Sequence, residues 1–260
     1  MSPCEDSRTD PSHPRYRSLK ERELLVSGFR GGIVVPEGLI AHGRGEMFDY
    51  LFGEETLPPA LFAEQAAAAA LKIAESPVIS VNGNLAALCA KEVVLLAEET
   101  EARIEVNLFH WSEERVKSIR RVLESNGARE VLAEAPDSVL DGVKHDRGKC
   151  HSAGILSADA VLIPLEDGDR ASALADMGKT VISIDLNPLS RTTLFSSISI
   201  VDEVTRAMPN LVRFAKEFKG KEERAKQIVE YFDNAASLRE MYRLIGERFA
   251  ELAGPGPDTP

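Results

Sequence analysis

The amino-acid sequence predicts an α/β protein with a mainly parallel sheet, helices on both faces and a helical C-terminal region. Five short apolar runs rich in β-branched residues alternate with helical patterns in the middle of the chain. Runs that are apolar throughout and separated by helices are typical of parallel strands covered on both faces. The predicted strands are Val78–Val81, Ile104–Asn107, Ala160–Pro164, Thr180–Ile184 and Ile198–Val201.

Helical periodicity marks the segments before, between and after these strands. Apolar residues recur at helical spacing from Tyr16 to Phe29, and two glycines end that pattern. The alanine-rich segment Pro58–Glu75 predicts a buried helix, because alanine has a high helix propensity and lets helices approach closely. Further helices are predicted at Ala86–Glu99, Glu113–Ser125 and Arg170–Gly178, and the chain after Asp202 is predicted to be helical to about Leu252.

The length and net charge of the chain limit the classes of protein to which it can belong. The chain has 260 residues, enough for one large domain, and a formal net charge of -11, which disfavours general nucleic-acid binding because polyanions are repelled. Its apolar runs are far shorter than the ~20 residues that span a bilayer. Three cysteines do not indicate a disulfide framework, so a cytoplasmic location is expected. We predict a single α/β domain at residues 14–252 between disordered tails at 1–13 and 253–260.

Polar residues follow four of the predicted strands. They include Asn82, Asn84, Asn107, Asp169, Arg170, Asp185, Asn187 and Arg191. In a doubly wound sheet, ligands bind beyond the carboxyl ends of the strands. Asp185 and Asn187 could hold ribose hydroxyls and an adenine edge, and Arg191 could clamp a phosphate. Since Asn, Asp and Gly are also common turn formers, a structural role is the alternative for each loop.

The segment Gly38–Glu46 predicts a glycine-rich loop that binds phosphate. Its closely spaced glycines would let backbone N–H groups approach an anion, and Arg44 adds a positive charge. His42 could contact a ligand or act as a general base, because imidazole titrates near neutral pH. A connector with Arg44 in solvent and a structural histidine are the alternatives. The basic triplet at 147–149 is a second possible phosphate loop, with a solvated loop as its alternative.

Other nucleotide and metal motifs are not supported. The letters GKT at 178–180 resemble the end of a P-loop, but Ala173 replaces its first glycine, and the segment closes a helix and opens a strand. The letters GRG at 43–45 lack the third glycine of a dinucleotide fingerprint, since Phe48 stands there. No histidine or cysteine spacing indicates a protein-held metal site, so no metal ligand is predicted. No serine lies in a GxSxG elbow.

Six long motifs stand in order along the chain. They are HPRY at 13–16, GLIAHGRGEMFDYL at 38–51, PVISVNGN at 77–84, EVNLF at 105–109, VLIPLEDGDR at 161–170 and IDLNPLSRT at 184–192. In these motifs the chain resembles the archaeal phosphopantothenate synthetases, also called 4-phosphopantoate–β-alanine ligases. The resemblance covers most of the chain, from about His13 to Tyr231.

The resemblance implies a homodimeric, Rossmann-like cytoplasmic ligase of coenzyme A synthesis. Such an enzyme joins (R)-4-phosphopantoate to β-alanine and cleaves ATP to AMP and pyrophosphate through an acyl-adenylate, with Mg²⁺ on the phosphates. By motif, the implied ATP contacts are Arg22, Arg44, Asp185, Leu186, Asn187, Arg191, Thr192, Glu203 and Val204. The family has asparagine in place of Glu203, so the side-chain contact there is in question, although the backbone could still serve.

Roles follow from the chemistry that the resemblance implies. Arg44, His42 and Arg191 are the candidate catalytic residues, because adenylation gathers phosphate charge that preorganised groups must stabilise. The candidates for substrate positioning are Asn82, Asn84, Asp169 and Arg170. Two other functions are considered: a noncatalytic nucleotide-binding or sensing protein with the same strand ends, and an NAD(P)-dependent oxidoreductase, which the missing glycine fingerprint disfavours.

Overall fold

The computed structural model describes residues 10–254 and contains one five-stranded parallel sheet. Its strands are β1 (Pro77–Val81), β2 (Arg103–Val106), β5 (Ala160–Pro164), β6 (Thr180–Ile184) and β7 (Ile198–Ile200), and a separate antiparallel pair is formed by β3 (Ser138–Val139) and β4 (Lys149–Cys150). All five strands predicted from the sequence are confirmed. Residues 1–9 and 255–260 of the predicted tails lie outside the described part of the chain.

Ten α-helices occur in the described range 10–254. They are α1 (Tyr16–Arg30), α2 (Pro36–Phe52), α3 (Pro58–Ile73), α4 (Gly83–Thr100), α5 (Glu113–Ser125), α6 (Gly168–Asp176), α7 (Arg191–Phe195), α8 (Val204–Glu217), α9 (Glu222–Tyr231) and α10 (Asn234–Ala253). The helices predicted before and between the strands are confirmed, and the predicted helical tail consists of α8, α9 and α10. None of the helices in this range has the length and apolar character needed to cross a membrane.

Helix α2 contradicts the prediction of a glycine-rich phosphate loop at Gly38–Glu46. Pro36 occupies a first-turn position, which suits proline because the N–H that it lacks would have no helical partner. Gly53 ends the helix in the left-handed region, with φ 87°. Between these residues the backbone N–H groups take part in helical hydrogen bonds, so they are not free to bind an anion as a loop would.

The sheet separates two apolar layers, which confirms the predicted fold class. Helices α3, α4 and α8 cover one face, and α6 covers the other together with the segment from β3 to Ala158. Alternate residues of β1 face opposite layers, with Ile79 in the first and Val78 in the second. Helix α10 packs in a smaller cluster that includes Leu57 and Val201, beside the end of β7.

The strand order places a topological switch point between β1 and β5. In the order β2-β1-β5-β6-β7 the chain runs from β1 to one side and then returns to build the other side. Doubly wound sheets form their ligand crevice beyond the carboxyl ends of the strands at this point. Asn82 bridges it, because its Nδ2 donates to the carbonyl of Pro164 at 2.8 Å.

Polar residues after the strands also begin the helices. Asn82, Asp167 and Ser190 each accept a hydrogen bond from a backbone N–H in the first turn of the helix that follows. Glu203 does the same for Thr205 at the start of α8. Such caps satisfy N–H groups that have no helical partner. These four strand-end residues therefore have the structural role that was considered for them, as caps of the helices that follow.

Candidate functional site

The carboxyl-end edge of the sheet is crossed by helix α2. We call residues 82–84, 165–170, 185–192 and 202–205, which follow β1, β5, β6 and β7, the rim. Asn84 Nδ2 donates to the carbonyl of Gly38 at 2.8 Å. A Cβ atom on Gly45 would lie 2.6 Å from Leu186 Cδ1, so α2 packs closely against the Leu186 side chain at this glycine. Helix α2 therefore contacts the loops after both β1 and β6. It brings His42 close to Glu203 of the rim and carries Arg44 on its exposed surface.

The two asparagines after β1 are buried and engaged within the protein. Asn82 Oδ1 accepts from Leu85 N at 3.0 Å, and its Nδ2 is shared by the carbonyls of Pro164 and Leu165. Asn84 is 7% exposed and is held by its bond to α2. Both amides thus fix the shape of the crevice beside the switch point.

A buried ion network lies at the end of β5. Glu166 contacts both Arg147 and Arg170, and Arg170, which is fully buried, also donates to Ser80 Oγ at 3.0 Å. Burial alone would raise the pKa of Glu166, but the two arginines hold this pKa below its ordinary value. Asn107 Nδ2 donates to the carbonyl of Arg147 at 3.1 Å, which ties the end of β2 to the network. The Arg147 guanidinium is consequently bound to carboxylates and does not lie in a solvated loop.

Two predicted site residues form an exposed pair beside this network. Arg191 Nη1 lies 2.6 Å from Asp169 Oδ1, and the side chains are 63% and 56% exposed. Thr192, the next residue of α7, donates from Oγ1 to the carbonyl of Glu166 at 2.9 Å. The loop after β6 is thereby fastened to the end of β5, with Arg191 facing solvent.

The side chains after β6 stabilise their own loop. Asp185 Oδ1 accepts from Asn187 N at 2.9 Å, and Asn187 Oδ1 accepts from Leu189 N at 3.0 Å. Burial raises the pKa of Asp185. Tyr242 of α10 donates to the carbonyl of Pro188 at 2.8 Å and holds the loop from outside. The carboxylate and amide predicted for a nucleoside are thus fixed in place by turns of the backbone.

Helices α1 and α2 bring two more arginines to the same region. Arg22 Nε donates to Glu46 Oε1 at 2.8 Å, and the Arg22 side chain is 45% exposed. Arg44 is exposed, and within residues 10–254 its guanidinium has no ion pair or hydrogen bond. Exposed cations without strong partners can bind an incoming anion at little cost in lost contacts.

An acidic cluster joins α1, α2 and α8 beside these arginines. Glu21, His42 and Glu203 place ligand-type atoms within 4.8 Å of one another, and Thr205 Oγ1 lies 2.5 Å from a carboxyl oxygen of each glutamate. Burial, helped by the charge of Glu203, raises the pKa of Glu21 to about 7. Burial also raises the pKa of Glu203 and lowers the pKa of His42, so the imidazole is neutral at neutral pH.

Sequence reasoning missed part of this arrangement. Glu21 and Thr205 are 184 residues apart, and no spacing rule connects a helix before the sheet with a helix after it. Glu166 stands four residues before Arg170, but it lies before the start of α6, so the spacing rule for helix pairs does not indicate this contact. Arg147 was noticed only as part of a basic triplet, since its carboxylate partners come from another segment of the chain.

These features define a doubly wound α/β protein whose rim gathers arginines, carboxylates and amides around the switch point. Comparison with known proteins gives the family directly. The profile of the family described as "Phosphopantothenate/pantothenate synthetase" matches residues 59–248. The chain belongs to this family.

Similar proteins from three archaea carry one name, 4-phosphopantoate–beta-alanine ligase. The protein of Methanosarcina mazei is 54% identical over 243 residues, which cover 93% of this chain and 95% of that protein. The protein of Methanospirillum hungatei is 57% identical and covers 79% of this chain and 84% of its own length. The protein of Thermococcus kodakarensis is 48% identical, and the matched region covers 94% of this chain and 95% of that protein. The resemblance identified from the motifs is thereby confirmed.

Proposed function

We propose that this protein condenses (R)-4-phosphopantoate with β-alanine to 4'-phosphopantothenate, a step of coenzyme A synthesis, and uses ATP with release of AMP and pyrophosphate. Relatives that cover nearly the whole chain are named for this pair of substrates, which supports the reaction. A cytoplasmic homodimer, as implied by the resemblance, belongs to the same proposal.

The observation that carries the proposal is the set of exposed arginines around one rim. Arg44 has no partner within residues 10–254, while Arg22 and Arg191 are bound to Glu46 and Asp169 in exposed pairs. Exposed ion pairs contribute only about 0–1 kcal/mol, so a triphosphate or phosphopantoate can displace these carboxylates. Guanidinium groups then bind phosphate through two parallel hydrogen bonds. The rim is thus suited to two phosphorylated substrates at once.

The first half-reaction makes the carboxyl group of phosphopantoate reactive. A carboxylate oxygen attacks the α-phosphorus of ATP, the bond between the α-phosphorus and its bridging oxygen breaks, and pyrophosphate leaves. We assign Arg44 and Arg191 to the negative charge that builds up on the phosphates, because preorganised cations stabilise such a transition state. Arg22 contributes to ATP binding from α1.

The second half-reaction forms the amide. The β-alanine ammonium loses one proton, its nitrogen attacks the acyl carbon, the acyl C–O bond breaks with departure of AMP, and the second proton leaves as the amide forms. We assign His42 to accept one of these protons, because burial lowers its pKa and leaves the imidazole neutral. The other proton passes to water.

The nucleoside of ATP is assigned to the loop after β6 and the start of α8. Asn187 is exposed, and its Nδ2 is not used by the turn that holds its Oδ1, so it can donate to an adenine acceptor. Asp185 and Leu186 belong to this loop, Thr192 fixes it to the end of β5, and Glu203 and Val204 stand at the start of α8. Of the residues assigned to substrate positioning, Asp169 is exposed, whereas Asn82, Asn84 and Arg170 act through the shape of the crevice.

Mg²⁺ fits the oxygen donors of the rim. Asp167 and Asp169, together with His145, place ligand-type atoms within 4.8 Å of one another. Since Mg²⁺ takes one or two protein carboxylates and fills its other positions with phosphate oxygens and water, we propose that Asp167 and Asp169 hold the ion that accompanies the triphosphate. When bound, the ion would neutralise charge on the departing pyrophosphate.

Pyrophosphate exchange tests the proposal. With β-alanine omitted, the protein should transfer labelled pyrophosphate into ATP only when phosphopantoate is present, because adenylate formation is reversible while the adenylate stays bound. With β-alanine added, AMP should appear in proportion to the amide. Formation of ADP and inorganic phosphate without exchange would overturn the mechanism. ATP binding without turnover would favour a nucleotide sensor, and oxidation of a nicotinamide would favour an oxidoreductase.

A further inference from the structure

A single hydroxyl group joins helix α1 to helix α8. Thr205 Oγ1 lies 2.5 Å from Glu21 Oε1 and 2.5 Å from Glu203 Oε2. Both pairs of oxygen atoms are close enough for O–H···O hydrogen bonds. We call these three side chains the α1–α8 contact. Glu203 is 3% exposed, so water has little access to this part of the contact.

The hydrogen atoms of the α1–α8 contact determine its charge. A threonine hydroxyl has one hydrogen, so it can donate to one carboxyl oxygen only. An ionised carboxylate has no hydrogen to donate. For both short contacts to be hydrogen bonds, one of the two glutamates must therefore be protonated and donate to Thr205 Oγ1. The contact holds one proton for two carboxyl groups.

The backbone identifies which glutamate carries that proton. Glu203 Oε2 accepts the backbone N–H of Thr205 as the N-terminal cap of α8. A carboxylate in this position is stabilised as an anion by the N–H groups and the dipole of the helix. Burial raises the pKa of both glutamates, but only Glu203 is stabilised as an anion by a backbone N–H at a helix start, so Glu21 is the donor. The hydrogen bonds run from the Glu21 carboxyl to Thr205 and from the Thr205 hydroxyl to Glu203.

We propose that protonated Glu21 is a positioning residue for ATP, because its hydrogen bond to Thr205 holds α1, and with it Arg22, against the rim. This inference rests on the proposed function only through the role of Arg22 in ATP binding. Loss of the proton leaves two carboxylates facing one hydroxyl, and one of the two short contacts is then lost. Helix α1 separates from α8, Arg22 moves with it, and ATP is bound more weakly.

Burial and the neighbouring carboxylates favour the protonated form of Glu21, and they outweigh the opposite effects of Thr205 and His42. The charged and titratable groups that surround it are Glu203 and Arg206 of α8, His42, Glu46 and Asp49 of α2, Arg22 of α1 and Cys89 of α4. The Arg206 guanidinium is already bound by Asp49 and Asp202, so it is committed elsewhere. Burial and Glu203 raise the pKa of Glu21 to about 7, which agrees with the hydrogen-bond pattern.

The test compares wild type, Glu21→Gln and Glu21→Ala by calorimetric titration with ATP from pH 5.5 to 8.5. Glutamine keeps a donor toward Thr205 but cannot ionise. The ratio of the wild-type Kd to the Glu21→Gln Kd should be near one at pH 5.5. It should rise about tenfold above pH 7, the change that one pKa unit of coupling produces. This ratio also cancels the titration of ATP itself. Glu21→Ala should bind ATP weakly at every pH.

A matched control and a second measurement make the outcome decisive. Glu230→Gln removes an exposed carboxylate from α9, away from the rim, and should follow wild type throughout. Thermal unfolding without ATP should show the stability of Glu21→Gln relative to wild type growing as pH rises from 4.5 to about 7, because the folded wild type binds more protons than the unfolded chain in this window, and constant above it. A pH-independent ratio of ATP affinities overturns the positioning role, even where the unfolding difference is present. If pyrophosphate exchange fails in every variant while the affinity ratio rises as expected, the proposed ligase function is wrong and the role of Glu21 stands.

Discussion

Helices α2 and α3 follow one another in the chain, have 17 and 16 residues, and both begin with proline, yet they lie in opposite surroundings. Helix α3 buries ten residues, among them the alanine run at 66–70, and packs between the sheet, α8 and α9. Helix α2 has no fully buried residue and exposes Ile40, Met47 and Tyr50. Similar length and similar local signals thus lead to a core helix in one case and to a surface helix in the other.

The two helices differ in the small residues that let neighbouring elements approach closely, and in the positions of these residues along the helix. Alanine on several sides of α3 lets neighbouring helices and strands pack around it, and its helix propensity supports the same structure. In α2 the close approaches are made at Gly38 and Gly45, against Asn84 and Leu186. A helix attached at few points leaves its polar side chains available, which suits Arg44 and His42 to a site. Helix α3 supports the fold, and we expect α2 to serve the chemistry.

The largest effect should come from introducing the same charge into both helices. Ala67→Asp places a carboxylate at a position with 0% exposure and should unfold the protein, because an unpaired buried charge costs several kcal/mol. Ala41→Asp at an exposed position of α2 should change the free energy of unfolding by about 0.5 kcal/mol or less. Chemical denaturation of both variants measures the difference. Equal losses of stability would contradict the contrast between the helices.

Arg44→Ala on α2 should leave the fold intact and remove most of the ligase activity. The Arg44 side chain is exposed, so its loss leaves no cavity, but loss of a group that stabilises transition-state charge costs about 2.7–4 kcal/mol of barrier. Pyrophosphate exchange should fall by about 10² to 10³ at an unchanged melting temperature. Arg224→Ala, an exposed arginine of α9, is the control. If folded Arg44→Ala keeps full activity, Arg44 is an exposed residue that takes no part in the reaction.

The alternation of apolar runs and helical patterns predicted the sheet well. Runs such as Ala160–Pro164 are apolar because parallel strands are covered on both faces, and the structure has that strand with the same bounds. The same reasoning failed for α2. Its glycines favour a loop on local propensity, whereas the tertiary contact with the buried Asn84 amide favours glycine at position 38 inside a helix.

The candidate site was predictable only in its broad location. Residues after the strands do converge on one rim, as the rule for doubly wound sheets requires. Their hydrogen bonds were not predictable, because Asn82 as a helix cap and Asn82 as a ligand contact have the same local sequence. The α1–α8 contact depends on two helices brought together by the whole fold, so no local pattern could indicate it.

Gly38→Ala should disturb the attachment of α2 to the rim. The added Cβ would lie 2.3 Å from Asn84 Oδ1, and Asn84 is buried, so either its amide or α2 must move. Overpacking of this kind costs about 1–3 kcal/mol, and we expect the KM for ATP in pyrophosphate exchange to rise about tenfold or more. Gly43→Ala is the matched control, because a Cβ there meets nothing within 4 Å. Identical KM values for the two variants would show that α2 is not held by this contact.

The smallest effect concerns the one charged residue buried in α3. Glu64 is 0% exposed, its Oε2 accepts from Asn210 Nδ2 at 2.9 Å, and burial together with Asp202 raises its pKa to about 9. Between its ordinary pKa of 4.5 and about 9 the folded state therefore binds one more proton than the unfolded state, and stability falls as pH rises through this window. Glu64→Gln keeps the bond to Asn210 and does not titrate. Its stability relative to wild type should accordingly grow by at most about 1.4 kcal/mol from pH 6 to pH 7, measured by urea denaturation at each pH. A difference between the two proteins that stays constant with pH would mean that Glu64 is ionised in the core of α3, and the contrast with the solvent-facing charges of α2 would be lost.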